Sequence, residues 1–405
     1  MDIRMITFVP RVRVSNATQL GMRIENGALA AALCVVLTGA SLACSSSDSG
    51  AGSPGAGGNV GGGGAPIVSG GAGGSSGASA GAAAGGAPSG GSGGAGAASG
   101  AAGSGGAPTG PKQRTVGYLP NYRGSLTTWA AGLDFSLVSY IDVCFADIDG
   151  SGNVTYSDAA LPAFVTAAHA KGSKVCLALG GATTINDLGA LAGQIAPANR
   201  ASFVSKIVGY AMTTGLDCID VDFEGNGVNG DYEGFVTALG PALHAQGKEM
   251  SAALASWFGD KVTSNALQAF DFVNVMAYDL HNPGGQTGPV QSSSMADSQA
   301  EIEYWVGRGL SKQKAVFGVP FYGYRWKPGA TSGEAVVYAE LLSTYGADAQ
   351  ADQITKDGTT VYLNSKATIQ AKAKLAREYG GIMAWELGQD ASGDASLLRA
   401  IQNAP

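Results

Sequence analysis

The chain has 405 residues, of which 45% are hydrophobic and 14% charged, and its formal charge is −7. Glycine fills 64 positions, 26 of them within residues 51–110, yet it does not recur at every third residue, which excludes collagen. No stripe of Lys or Arg interrupts the acidic balance, and this argues against a nucleic-acid partner, whose phosphates need clustered cations.

In chain order, the first feature is an apolar run at 28–40, too short for a comfortable membrane span and of signal-peptide length. Ser41-Leu42-Ala43-Cys44 follows it. Residues 1–44 resemble a bacterial lipoprotein signal, which implies lipidation of Cys44 and an exported protein, either a cell-surface outer-membrane lipoprotein or a secreted one. An ordinary cleavable signal with an incidental Cys44 is the alternative. Residues 1–21 are long for the region before such a run, so Met22 is the expected start. Residues 45–111 are rich in Gly, Ala and Ser, and Gly50 to Pro111 holds no charge. Such a stretch cannot bury enough apolar surface to offset its ordering entropy. It reads as a disordered linker, with a span on the order of 40 Å. Any membrane contact would come only through a lipid on Cys44.

Residues 112–405 carry 20 basic and 28 acidic residues and suit one large domain, expected as a monomer. Eight β-rich runs alternate with helical patterns: Thr115–Pro120, Val138–Ala146, Lys174–Gly180, Cys218–Glu224, Met250–Ala255, Phe272–Tyr278, Ala315–Pro320 and Gly381–Glu386. Helices are predicted at Pro162–Ala170, Asn199–Met212, Tyr232–Ala245 and Gln299–Gly307. Near-continuous apolar runs fit strands buried on both faces, and eight βα units predict a closed (β/α)8 TIM barrel. An open doubly wound sheet would want a Gly-rich phosphate loop after the first strand, and Gly117-Tyr118-Leu119-Pro120-Asn121 is not one. About 60 residues separate the seventh and eighth runs, predicting a modest insertion, largely helical, with a helix at Lys366–Tyr379.

The chemistry concentrates in Asp217-Cys218-Ile219-Asp220-Val221-Asp222-Phe223-Glu224. Side chains alternate along a strand, so Asp220, Asp222 and Glu224 share one face and Ile219, Val221 and Phe223 the other. The apolar set must meet helices, which points the acids into the barrel. Carboxyls so close cannot all ionise cheaply, and at least one should hold its proton near neutral pH and serve as a general acid. Glu224 stands nearest the rim where barrel sites form. A calcium loop would need glycine where Asp222 stands. A surface strand would not carry Ile, Val and Phe opposite its acids. A buried acid cluster without function is the residual alternative. The histidines at 169, 244 and 281 are too scattered for a metal centre, and no metal or cofactor is expected.

Asp217–Glu224 resembles the Asp-Gly-x-Asp-x-Asp-x-Glu signature of family-18 glycoside hydrolases, the chitinase family. Val116-Gly117-Tyr118, Cys144-Phe145-Ala146, Met276-Ala277-Tyr278-Asp279 and Met383-Ala384-Trp385-Glu386 resemble its first, second, sixth and eighth strands. The likeness spans about 114–403. It implies hydrolysis of β-1,4-linked N-acetylglucosamine in chitin or its oligomers, with retention and assistance from the substrate's own acetamido group. It further implies that Glu224 is the acid and base, Asp222 the partner of the acetamido N–H, Asp220 its proton-exchange partner and Tyr278 a donor to the acetamido oxygen. Asp279 would bind sugar hydroxyls, Trp385 would stack under the reacting ring, and Tyr118, Phe145 and Met276 would line the pocket. Phe145 and Met276 could equally be plain core residues.

Three departures stand out. Ala178 replaces a serine that in the family helps hold the acid at Asp220, Cys218 replaces the signature glycine, and Tyr324, followed by Arg325, stands where arginine is frequent. The resemblance implies that Ala178 neighbours Asp220, and so that Cys176 neighbours Cys218. Two packed free thiols are expected there, a disulfide being the alternative. The alternative functions are hydrolysis of N-glycan or peptidoglycan fragments, and a chitin-binding lectin. A purely structural surface protein would leave the acids unexplained.

Overall fold

All eight apolar runs form strands, and their hydrogen bonds close a ring. A computed structural model describes residues 113–186 and 188–405. In it β1 (Thr115–Pro120), β2 (Tyr140–Cys144), β3 (Lys174–Gly181), β4 (Cys218–Phe223), β5 (Glu249–Leu254), β6 (Phe272–Val275) and β7 (Ala315–Pro320) run side by side in parallel. A last strand, Gly381–Trp385, lies between β7 and β1 and completes the barrel. The (β/α)8 barrel is therefore the observed fold. The open sheet is excluded, because β1 is bonded along both edges. The proposed signal, Met22, Cys44 and the 45–111 linker lie outside the described residues. Among the described residues no helix is long and apolar enough to cross a membrane.

Helices α1 (Leu161–His169), α2 (Pro197–Thr214), α3 (Tyr232–His244) and α4 (Met295–Gly307) pack outside. Ile219, Val221 and Phe223 meet them as the alternation requires, and Phe223 stacks on Phe235 of α3 at 5.8 Å between centroids. The helix α4 begins four residues before its predicted start, because Ser294 caps it by accepting from the Asp297 N–H. The sixth run leaves the ladder at Val275, three residues early. Beyond it Asp279 adopts φ 57°, which no strand accommodates.

The insertion differs from its expectation. Between β7 and the last barrel strand lie β8 (Tyr322–Trp326), β9 (Glu334–Val337), β10 (Gln353–Lys356) and β11 (Thr359–Tyr362), an antiparallel sheet in the order β9-β8-β11-β10. One helix, α5 (Tyr338–Tyr345), belongs to it, and the predicted helix follows as α6 (Lys366–Leu375). The strands were readable. Tyr322, Tyr324 and Trp326 alternate with period two, and Asp357-Gly358, at φ 49° and 75°, is a two-residue hairpin signal. The closing barrel strand, Gly381–Trp385, is β12.

The cysteines also require a correction. Cys176 and Cys218 pair in register on β3 and β4, with Cα atoms 4.5 Å apart, and they are joined in a disulfide rather than packed as free thiols. That separation lies within bridging range. Cys144 is a buried free thiol.

Candidate active site

The inward faces of the strands build the site in layers. Ala178 pairs with Asp220 and Gly180 with Asp222 across β3 and β4, as the resemblance implied for the first pair. The two strands approach so closely that a Cβ on Gly180 would lie 2.5 Å from the Asp222 carbonyl oxygen. Gly180 (φ 105°) and Gly181 (φ 79°) also hold backbone angles that favour glycine, and Gly181 faces the Phe145 ring. These glycines let the acid ladder sit against the pocket wall.

At its inner end Asp220 is held at both oxygens, and Asp142 at one. Asp220 is fully buried, and its Oδ1 accepts from Ser251 Oγ at 2.6 Å and its Oδ2 from Tyr118 Oη at 2.7 Å. Ser251 sits beside Asp220 in the β4–β5 register, so it supplies the hydroxyl that Ala178 lacks. Burial raises the Asp220 carboxyl to about pH 6, and the bonds from Ser251 and Tyr118 restrain the rise. A further acid, Asp142, shares this layer. Asn274 Nδ2 donates to Asp142 Oδ2 at 3.1 Å and to Tyr118 Oη at 3.0 Å. Burial and the nearby Asp220 push Asp142 up as well.

Towards the rim the bonds stop. Asp222 Oδ1 is buried without a hydrogen-bond partner. Burial, then Glu224 and Asp220, raise its carboxyl well above the usual range. Glu224 is fixed through its backbone, whose N–H donates to Thr184 Oγ1 at 2.7 Å. Burial and the Asp279 charge lift the Glu224 carboxyl to about 7. A carboxyl so placed holds a proton at neutral pH and can deliver it.

The remaining predicted residues surround these acids. Trp385 lies against Tyr118 at 5.3 Å and Phe145 at 6.3 Å between centroids. Its strand end is tied down by Glu386, a fully buried carboxylate that accepts from Arg123 Nε at 2.7 Å and from the Gly388 N–H at 2.7 Å. Peptide bonds Cys144–Phe145 and Trp385–Glu386 are cis. Met276, Tyr278 and Asp279 share with Glu224 the lining of a cavity of about 770 Å³. Asp279 Oδ1 accepts from Tyr322 at 2.6 Å and Tyr324 at 2.9 Å, both from the insertion. Tyr324 thus occupies the site as a hydrogen-bond donor, while Arg325 turns away to Glu334 and Glu340. His281 is a loop residue paired with Asp297 at 3.3 Å, and it too lines the cavity.

The sequence reading missed Ser251, Asp142, Asn274, Tyr322 and Trp257. Period-two alternation would have turned the first three inward, given the register. Trp257 is 59% exposed at the cavity mouth and carries no sequence signal beyond being a tryptophan after a strand. Asp142, Cys176 and Cys218 lie close enough to cup a cation, within 4.8 Å of one another, but two of the three are already joined as a disulfide.

The sequence profile of glycosyl hydrolases family 18 matches residues 114–390. A class V chitinase of Arabidopsis thaliana is 28% identical over 330 residues, covering 67% of this chain and 85% of that protein. The crystal structure of a family-18 chitinase from the chitin utilization locus of Flavobacterium johnsoniae superposes with a TM-score of 0.65 at 30% identity, covering 72% of this chain and 94% of that one. A chitinase-like agglutinin from Robinia pseudoacacia shares the fold, with a TM-score of 0.63 at 21% identity over 71% of this chain and 98% of its own. The acid ladder, the barrel and the profile agree, and the chain belongs to glycosyl hydrolase family 18.

Proposed function

We propose that this protein hydrolyses β-1,4-linked N-acetylglucosamine oligomers with retention of configuration. One observation carries the reading: Asp222 has a buried oxygen with no donor, between a fully bonded Asp220 and a Glu224 that keeps its proton near neutrality. Leaving such an acceptor unpaired is costly, so the site asks for an N–H from its ligand. An acetamido group beside the cleaved bond provides one.

The steps follow from the placement. Trp385 floors the reacting ring. Glu224 transfers its proton to the glycosidic oxygen. The acetamido carbonyl oxygen attacks the anomeric carbon as the bond to the leaving sugar breaks, giving an oxazolinium ion. Asp222 accepts the acetamido N–H and faces the growing positive charge, while Asp220 exchanges a proton with it. Tyr278 donates to the acetamido oxygen. Water, deprotonated by the Glu224 carboxylate, then opens the oxazolinium from the face the leaving sugar vacated. Two displacements on one carbon preserve its configuration. Export and a lipid on Cys44 complete the proposal and would display the barrel on its linker.

The test gives the protein and its E224Q variant N-acetylglucosamine tetramer and follows products by mass and by anomer-resolved chromatography. Cleavage by the parent alone, with the β-anomer formed first, is the expected result. Saturable binding by both proteins without cleavage would make the protein a lectin.

A further inference from the structure

The turn that carries Tyr278 and Asp279 is strained. Asp279, His281 and Asn282 have φ of 57°, 65° and 51°, three left-handed residues in four positions, none of them glycine. Left-handed conformations of residues other than glycine persist only where their surroundings over-determine them.

The surroundings are specific. The Ala277 carbonyl, one residue before Tyr278, accepts from Ser293 Oγ at 2.8 Å and Ser298 Oγ at 2.9 Å. Both hydroxyls accept in turn from Lys372 Nζ, each at 2.8 Å. A third bond runs from Lys372 Nζ to the Ser293 carbonyl at 2.7 Å. Asn364 Nδ2 donates to that same carbonyl at 2.9 Å, and the Leu280 N–H donates to the Ser292 carbonyl at 2.9 Å. Lys372 is fully buried on α6. An ammonium has three N–H donors, and three acceptors surround this one. Among the described residues Lys372 makes no ion pair, although Asp297 and Asp352 are near enough to oppose the burial that draws its pKa to about 7. A buried charge without a counter-ion is a poor route to stability. Its value lies in geometry.

We propose that Lys372 is a positioning residue that, through Ser293 and Ser298, fixes the Ala277 carbonyl and so aims Tyr278 and Asp279 into the pocket. It touches no substrate. It connects the helix that follows the insertion to the end of β6. The proposal rests on the hydrolase reading only for its assay.

The experiment uses the full chain and its K372M, K372A and S298A variants, assayed on N-acetylglucosamine tetramer. K372M and K372A should lose about 10–100-fold in kcat, the scale of a displaced catalytic group, with KM within about threefold. Millimolar n-propylammonium should restore K372A by at least about tenfold, and n-butanol should restore nothing, because the missing element is a charged donor. S298A keeps the lysine and should lose about threefold in kcat, one hydrogen bond's worth. A K372M enzyme within about twofold of the parent would overturn the proposal. So would a K372A loss that n-propylammonium leaves untouched while S298A is unimpaired. A parent that cleaves nothing would sink the hydrolase reading alone. The crystal structure of K372M would then decide: Asp279 retained in its left-handed conformation overturns the proposal, and its departure sustains it.

Discussion

The two ends of the acid ladder are built on opposite principles. At the inner end Asp220 has both oxygens bonded, by Ser251 and Tyr118, and Asp142 leans on Asn274. Two residues outward along the same strand, Asp222 keeps a buried oxygen that has no donor among the described residues, and Glu224 is fixed through its backbone. Both ends are desolvated, so burial does not separate them. What separates them is satisfaction. Asp220 is complete in the free protein, whereas Asp222 is left for whatever enters to complete. That division places structure below and reaction above within about 10 Å of one strand.

Substitutions can break this contrast or sharpen it. The largest effect should come from Glu224. E224Q keeps the shape and removes the proton, and kcat should fall about 10²–10⁴-fold. D222N should follow with a loss of about 10²–10³-fold in kcat, because the proposed mechanism needs a carboxylate there to face the developing cation. Both variants should fold as the parent does, since among the described residues neither side chain receives a hydrogen bond; a matching loss of thermal stability would erase the proposed division. The pH profile is a third probe. Glu224 acts protonated, and its pKa is raised to about 7, so kcat/KM should decline about tenfold per unit above pH 7. A basic limb near 4.5 would remove Glu224 from the acid's role.

Smaller effects should mark the inner layer. S251A leaves Asp220 short of one donor, and kcat should fall about threefold to tenfold, with some loss of stability. Asp142 offers the opposite sign. Its folded pKa is raised above an unfolded value of about 3.9. The stability this group allows is therefore full below that unfolded value and is lost as pH rises through the folded one. Asparagine does not titrate. D142N should raise Tm by about 2–4 °C at pH 8 and by little near pH 4, as thermal melts at the two values would show. An equal shift at both would mean that packing, not charge, separates the variants.

Much of this was legible in the sequence. Continuous apolar runs gave the barrel, and alternation through Cys218–Phe223 put the three acids on one face. Period-two reasoning works there because both faces of β4 are decisive, one apolar and one acidic. It was not applied in the insertion, although Tyr322, Tyr324 and Trp326 alternate there with the same period. The replacement of the Ala178 hydroxyl by Ser251 could not be read from either residue alone. It depends on which residues of β3, β4 and β5 stand side by side, and register belongs to the sheet rather than to any strand. Cys176 and Cys218 illustrate the same limit: the resemblance made them neighbours, and only their 4.5 Å separation joined them.

The two tyrosines of β8 that end on Asp279 have a consequence for how this protein could be re-engineered. Insertions between barrel strands are ordinarily treated as exchangeable modules, to be trimmed or traded between relatives. Here the boundary of the module runs through a functional hydrogen bond. A graft that begins after Trp326 would leave Asp279 supported, whereas one that begins at Pro320 would exchange both of its tyrosine donors along with the loop. The natural seam in this protein therefore lies inside the insertion, one strand beyond the barrel wall.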